Sequence, residues 1–254
     1  MTARRVALVP CHYGRDHLAW AVRGVQEAAD EVHVFYSAEP SFGHALPGAR
    51  CPDSEGELEA EARRFAKVPV VWHRVRASSE GEHRGLMYAE AARRGARTVF
   101  QVDADEVWAP GDALRAAEHA EAEDRAGRWL CRFTHTFRSW RWRVEEPFRP
   151  VRVLDLRHPL DRDAYVPDGV CGPVIHHGYA QRLEVVRYKW TCHGHRSELR
   201  PGWLERYEAW RPGDRDMHPT VPGLWDPTPT PPGELARVLG AMGDHPHAYL
   251  ELVP

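Results

Sequence analysis

The stretch "RTVFQVDADEVW", residues 97–108, runs from a β-branched and apolar segment straight into three carboxylates, Asp103, Asp105 and Glu106. Residues 97–102 read as a short buried strand. Acids at its end fit a cation site, a polar turn or the start of the next helix. The flanking sequence bears on that choice. Upstream lie "RRVALVPC" (4–11), "EVHVFYS" (31–37) and "PVVWHRV" (69–75), each an apolar or β-branched run of strand length. Between them lie helical patterns. The first covers 16–30, with Leu18, Val22, Val25 and Ala29 on one face and Asp16 as the expected N-cap. The second, 54–68, runs from acidic to basic residues, as a helix dipole favours. The third, 81–95, stops at Gly95. A fourth helix is expected over about 111–126. Strand–helix alternation with short links predicts an α/β fold, a Rossmann-like, mostly parallel sheet flanked by helices. Such sheets bind ligands at the carboxyl ends of their strands. "PCHYGRD" (10–16) and "DADE" (103–106) both fall there.

The second half changes character. Residues 129–144 and 151–157 read as strands of mixed aromatic and Arg content, and 172–180 as a short strand carrying His176 and His177. Residues 183–199 begin as a helix, 217–233 are Pro-rich and extended, and 234–242 form a last short helix. The expected organisation is one catalytic domain. Residues 1–127 form its nucleotide-binding half, 128–199 a smaller mixed acceptor-side and metal-completing region, and 200–254 a C-terminal extension.

Composition narrows the function classes. The chain has 254 residues and a formal net charge of −3, so no global basic field points to nucleic acid or a membrane surface. Lys67 and Lys189 are the only lysines among 34 basic residues. Five scattered cysteines form no disulfide framework, and the apolar run at 6–11 is too short for a signal core or a bilayer span. A cytoplasmic protein is expected.

Alternate carboxylates behind a strand suit a hard divalent cation, Mg²⁺ or Mn²⁺, which would in turn neutralise phosphate oxygens. His176, at the end of an apolar run, is placed to add a ligand. Cys171, His176, His177, Cys192, His193 and His195 match no standard zinc spacing.

Three segments together resemble the small nucleotide-sugar-dependent glycosyltransferases of the GT-A fold, close to the family 2 type. They are "VALVPCHYGRDHL", "QVDADEVW" and "VIHHGYAQRLEVVRYK". The last is similar to the family's H-[YF]-G-[WYF]-[VA]-R segment with its following Lys. The resemblance covers about residues 4–190. It implies that Asp103 and Asp105 hold a divalent cation and the nucleotide diphosphate, with Asp103 nearer the nucleotide. It implies that His176 completes the cation's shell, with His177 as the fallback. It further implies that Pro10 to Tyr13, including His12, embrace the nucleobase and that Arg84 contacts the nucleotide. The chain departs from the pattern twice. "YSAEP" offers Glu39 where an acid reads the nucleotide, and Gln181 interrupts the segment before Arg182, the expected phosphate partner.

The implied reaction moves a sugar from a nucleotide diphosphate sugar, foremost a UDP-sugar, to an acceptor hydroxyl with inversion. A carboxylate must accept the hydroxyl proton. Glu145, Glu146, Asp163 and Asp168 lie in or beyond the aromatic stretch where an acceptor would sit, and Glu106 is a further choice. Glu146, Asp168 and Glu106 are put first.

Eight arginines fall between Arg128 and Arg157, against Glu145, Glu146 and Asp155. Alternating strands with aromatics inward and Arg outward explain them. A nucleic-acid acceptor is the alternative, as in phage enzymes that glycosylate hydroxymethylated DNA bases. A non-enzymatic nucleic-acid or glycan-binding module would use the same surface without a nucleotide sugar. A sugar-nucleotidyltransferase is disfavoured, because "PCHYGRD" lacks a Gly-rich G-x-G-x-R loop.

Overall fold

The computed structural model describes residues 4–40, 46–192 and 196–246. Its frame is a seven-stranded sheet ordered β10-β6-β9-β4-β1-β2-β3. The strands are β1 (Arg5–Cys11), β2 (Glu31–Ser37), β3 (Val70–Val75), β4 (Thr98–Gln101), β6 (Arg128–Leu130), β9 (Val151–Asp155) and β10 (Asp163–Tyr165). β4, β1, β2 and β3 are parallel neighbours, whereas β9 runs antiparallel to both β4 and β6. The alternating half of the chain therefore gives the expected doubly wound layer.

Helices cover both faces. α1 (Leu18–Val25), α2 (Glu55–Arg63) and α4 (Asp112–Glu123) lie on one side, and α3 (Glu80–Arg93) on the other. Leu18, Val22, Leu58, Ala116 and Ala120 pack with Ala7, Val9 and Phe100, while Met87 and Ala91 of α3 meet Val6, Leu8 and Val99. Burial on both faces explains why β1 reads as an unbroken apolar run.

Two helices carry side-chain caps. Ser54 and Glu57 form a reciprocal capping box on α2, and Ser79 Oγ accepts from Glu82 N at α3. Asp16 behaves differently. His17 takes the N-cap position of α1 without a side-chain cap, and the buried Asp16 carboxylate accepts instead from Arg182 N and Nε.

A second, five-stranded sheet is ordered β12-β8-β7-β11-β5, from β5 (Glu106–Val107), β7 (Phe133–Phe137), β8 (Ser139–Val144), β11 (Val174–Tyr179) and β12 (Thr228–Pro229). α5 (Leu183–Cys192) and α6 (Trp203–Ala209) pack on it through Val186, Trp203, Tyr207 and Trp210, with Phe137, Tyr179 and Trp225. α7 (Pro232–Met242) carries Val238 and Met242 against Trp20 and Trp140. The boundary at residue 127 is not a division of the fold. β6, β9 and β10 follow it yet extend the first sheet, and β5 precedes it yet joins the second. The Pro-rich stretch packs on its own chain: Trp225 and Met217 are buried, and Thr230 N and Oγ1 donate to Arg141 O and Trp140 O.

Among the described residues, no helix is long and apolar enough to cross a membrane. All five cysteines are free thiols.

Candidate active site

A cavity of about 290 Å³ opens at the carboxyl ends of β1 and β4. Pro10, Cys11, His12, Tyr13, Gly14, Arg84, Asp103, Asp105, His176 and Lys189 are among its walls. Sequence positions spread over 180 residues thus converge on one space.

The loop after β1 reaches the DADE turn through Gly14. Its φ of +123° lies where side chains are strained, and a Cβ there would stand 2.9 Å from Ala104 Cβ. Asp53, fully buried, fixes this loop by accepting from Gly14 N and Arg15 N. His12 lines the cavity with both ring nitrogens engaged, Nδ1 to Ser37 O at 2.8 Å and Nε2 to Tyr188 Oη at 2.7 Å. Its contacts tie the ends of β1, β2 and α5 together. Arg84 reaches in from α3, donating to Gln101 Oε1 and to Glu80.

The carboxylates are held by different means. Asp103 Oδ2 accepts from Arg152 Nη2 at 3.0 Å. Burial works to raise the Asp103 carboxyl, but Arg152, Arg84 and His176 outweigh it and hold it below the usual range. Asp105 Oδ2 accepts from Gln181 Nε2 at 3.0 Å, and burial raises its carboxyl although Lys189 opposes the shift. His176 Nε2 stands 3.6 Å from Asp105 Oδ1. His176 Nδ1 faces His135 Nδ1 at 2.8 Å. If His176 donates that proton, Nε2 presents a lone pair toward Asp105. Burial, then Lys189 and Arg152, push His176 down to about 3, so the ring is neutral at pH 7.

These donors fit a hard or borderline divalent cation: carboxylate oxygens beside a neutral imidazole whose other nitrogen is fixed by a neighbour. A gap of 3.6 Å between Asp105 Oδ1 and His176 Nε2 also lets one cation reach both at about 2.0–2.2 Å.

The pairing of β5 with β11 brings His176 here, because His176 lies opposite Glu106 in that ladder. Strand alternation then turns His177 to the other face. There it is fully buried, its Nδ1 against Thr136 Oγ1 and its ring stacked on His17 at 4.4 Å. His177 is therefore no fallback ligand.

Several expected site residues stand elsewhere. Glu39 is exposed, 3.9 Å from Arg76, and does not line the cavity. Arg182 is committed to protein carboxylates, with Nε 2.6 Å from Asp16 Oδ1 and Nη2 2.6 Å from Asp53 Oδ1. It braces the loop after β1 and does not line the cavity. Glu106 is 1% exposed, pairs with Arg152 and accepts from Asp103 N, so no acceptor hydroxyl can reach it. Burial raises its carboxyl to about 8 although Arg152 pulls the other way. Asp168 lies on the surface, paired with Arg132 and Arg149. Glu146 sits beside Trp225 Nε1 and His218, outside the cavity wall. Of the other candidate bases, Glu145 pairs with Arg143 and Asp163 with Arg128.

Residues to which the sequence gave no site role also belong here. Gln181, taken as an interruption, orients Asp105. Arg152 pins Asp103. Lys189 lies 3.8 Å from Asp105 Oδ2 and donates to Gly178 O. Its rarity was a usable signal, since the chain has only two lysines. Nothing in the sequence distinguishes Arg152 from the arginines around it.

Those arginines do not form a free basic strip. Arg128, Arg132, Arg143, Arg149, Arg152 and Arg157 each pair with a carboxylate, and Arg138 lies over Tyr207. His193 and His195 of the cysteine–histidine group lie outside the described residues. Among the described residues, His33, His73 and Glu90 do cluster within 4.8 Å. Arg93 and Arg94 hold Glu90, which makes the group an ion-pair network at the sheet edge.

No family model matches the sequence, and no curated protein matches it significantly. Among solved structures, S. aureus TarS 1-349 aligns at 16% identity with a TM-score of 0.35. The match covers 52% of this chain and 36% of that one. A similarity this low carries no weight, and the functional reading rests on the cavity.

Proposed function

We propose that the protein is a metal-dependent glycosyltransferase that moves a sugar from a nucleotide diphosphate sugar to an acceptor hydroxyl. One observation carries this reading: a single cavity at the carboxyl ends of parallel strands gathers Pro10 to Tyr13, Arg84, Asp103, Asp105 and His176.

In this reading Asp105 and His176 hold Mn²⁺ or Mg²⁺, and Asp103 faces the nucleotide. The cation, when bound, supplies positive charge to the departing diphosphate. The chain's own residues do the rest. Arg152 and Gln181 fix the two carboxylates, and Tyr13 and Arg84 bound the nucleotide end of the cavity. The acceptor oxygen forms its bond to the anomeric carbon as the bond to the diphosphate breaks, and its proton passes to a carboxylate. None of Glu106, Glu145, Glu146, Asp163 and Asp168 lines the cavity, so the proposal gives that role to no one of them. An inverting outcome follows from direct displacement.

The deciding experiment incubates the protein with Mn²⁺ and a panel of UDP-, GDP-, ADP- and CDP-sugars and follows release of nucleoside diphosphate. Slow hydrolysis of one donor, lost in Asp105→Asn, supports the reading. Absence of metal-dependent binding of every donor overturns it.

A further inference from the structure

Lys189 differs from every other cation around the cavity. Arg84 in the cavity wall, and Arg152 and Arg182 behind it, make short contacts with carboxylates. Lys189 Nζ stands 3.8 Å from Asp105 Oδ2, beyond hydrogen-bond length, and among the described residues it donates to Gly178 O at 3.2 Å. It lies over the Tyr179 ring at 4.8 Å, and its side chain keeps 16% of its surface open to the cavity. Gly178 makes this possible, because a Cβ there would stand 3.2 Å from Nζ and 2.8 Å from His176 Nε2. The chain otherwise uses arginine for almost all its positive charge. Lysine is a compact charge on a flexible stem and suits a contact that must be exchanged, not locked.

We infer that Lys189 is an exchangeable cationic arm: it neutralises Asp105 in the ligand-free protein and moves to the diphosphate of a bound nucleotide when a divalent cation takes Asp105. This rests on the function proposed above and adds a phosphate-contacting residue to it. The geometry requires little movement. Lys189, His176 and Asp105 already surround one point, and the stem turns on Tyr179 without leaving the cavity. The charge count supports the exchange. Asp105 retains a positive partner throughout, and the diphosphate meets both the cation and the ammonium.

The test uses the whole protein, titrated with Mn²⁺ alone and then with nucleoside diphosphates and monophosphates at saturating Mn²⁺. The nucleoside diphosphate bound tightest by the wild type is carried forward. Lys189→Met keeps the apolar stem and removes the charge. It is expected to bind Mn²⁺ alone about threefold tighter, because the competitor for Asp105 is gone. It is expected to bind the nucleoside diphosphate about tenfold more weakly, with the monophosphate within about twofold of wild type. Lys189→Arg, a second variant, is expected to bind Mn²⁺ alone more weakly than wild type, because a guanidinium forks onto Asp105. Unchanged or weaker Mn²⁺ binding in Lys189→Met overturns the exchange, as does equal loss for diphosphate and monophosphate. A wild type that binds Mn²⁺ and nucleoside diphosphate while Lys189→Met does the same sinks this inference alone. A wild type that binds no nucleoside diphosphate sinks the proposed function with it.

Discussion

Arg152 Nη2 donates to Asp103 Oδ2 at 3.0 Å, and the same nitrogen pairs with Glu106 Oε1. One buried guanidinium therefore sets both the carboxylate that faces the cavity and the acid behind it. Its own pKa is raised, because the two acids overcome the effect of burial. Arg152→Met leaves the buried Glu106 carboxyl without its donor, and an unsatisfied buried polar group costs ~1–3 kcal/mol. A urea melt at pH 7.5 should show that loss. Glu106→Gln keeps a polar partner for Arg152 and should cost less. An Arg152→Met protein as stable as wild type would remove the pair from the account of the site.

Gly178 is where His176 and Lys189 pass one another. A Cβ at 178 would stand 2.6 Å from His176 Cε1. Gly178→Ala should displace the imidazole, at an overpacking cost of ~1–3 kcal/mol. Metal-dependent nucleotide binding should fall by roughly 10-fold or more, as when the support of a ligating residue is lost. Calorimetric titration with Mn²⁺ and nucleotide measures it, and unchanged affinity would show that His176 is not a ligand.

Arg182 distinguishes a brace from a phosphate contact. Its partners Asp16 and Asp53 have fully buried side chains. Arg182→Met should lower stability by ~3–5 kcal/mol, through the buried carboxylates it leaves. Nucleotide affinity, measured well below the melting temperature, should change little. A tenfold loss of affinity in a protein of normal stability would return Arg182 to the phosphate site.

The histidines predict acid lability. Burial is the leading cause of the lowered pKa of His12, His33, His73, His83, His135, His177 and His218. These rings are neutral when folded and take up protons near pH 6.5 when unfolded. The unfolded chain then binds more protons, so stability is full above about pH 6.5–7 and falls as the pH drops through 6 toward 5. The melting temperature at pH 5.5 should lie at least about 3 °C below that at pH 7.5. Glu90, held at about 2 by Arg93 and Arg94, adds its own loss only below the ordinary carboxylate range. A melting temperature flat from pH 7.5 to 5.5 would contradict the buried neutral state.

The sequence by itself determined the layered half of the molecule. β1, β2 and β4 are buried on both faces, the edge strand β3 in part, and the helices between them on one, so hydrophobic period alone locates them. It also placed Pro10 to Tyr13 and Asp103 to Glu106 at strand ends, which is where the cavity opens. It could not show that β9 runs antiparallel between β4 and β6, since an apolar strand carries no mark of direction. It could not show β5 either, for a two-residue strand has no period. Yet the pairing of β5 with β11 sets His176 beside Asp105 and turns His177 away. Nor could it separate Arg152 from the arginines around it, or Arg182 as a brace from Arg182 as a ligand contact. Those roles depend on which carboxylate each guanidinium meets across 46 to 166 residues of chain, and only packing decides that.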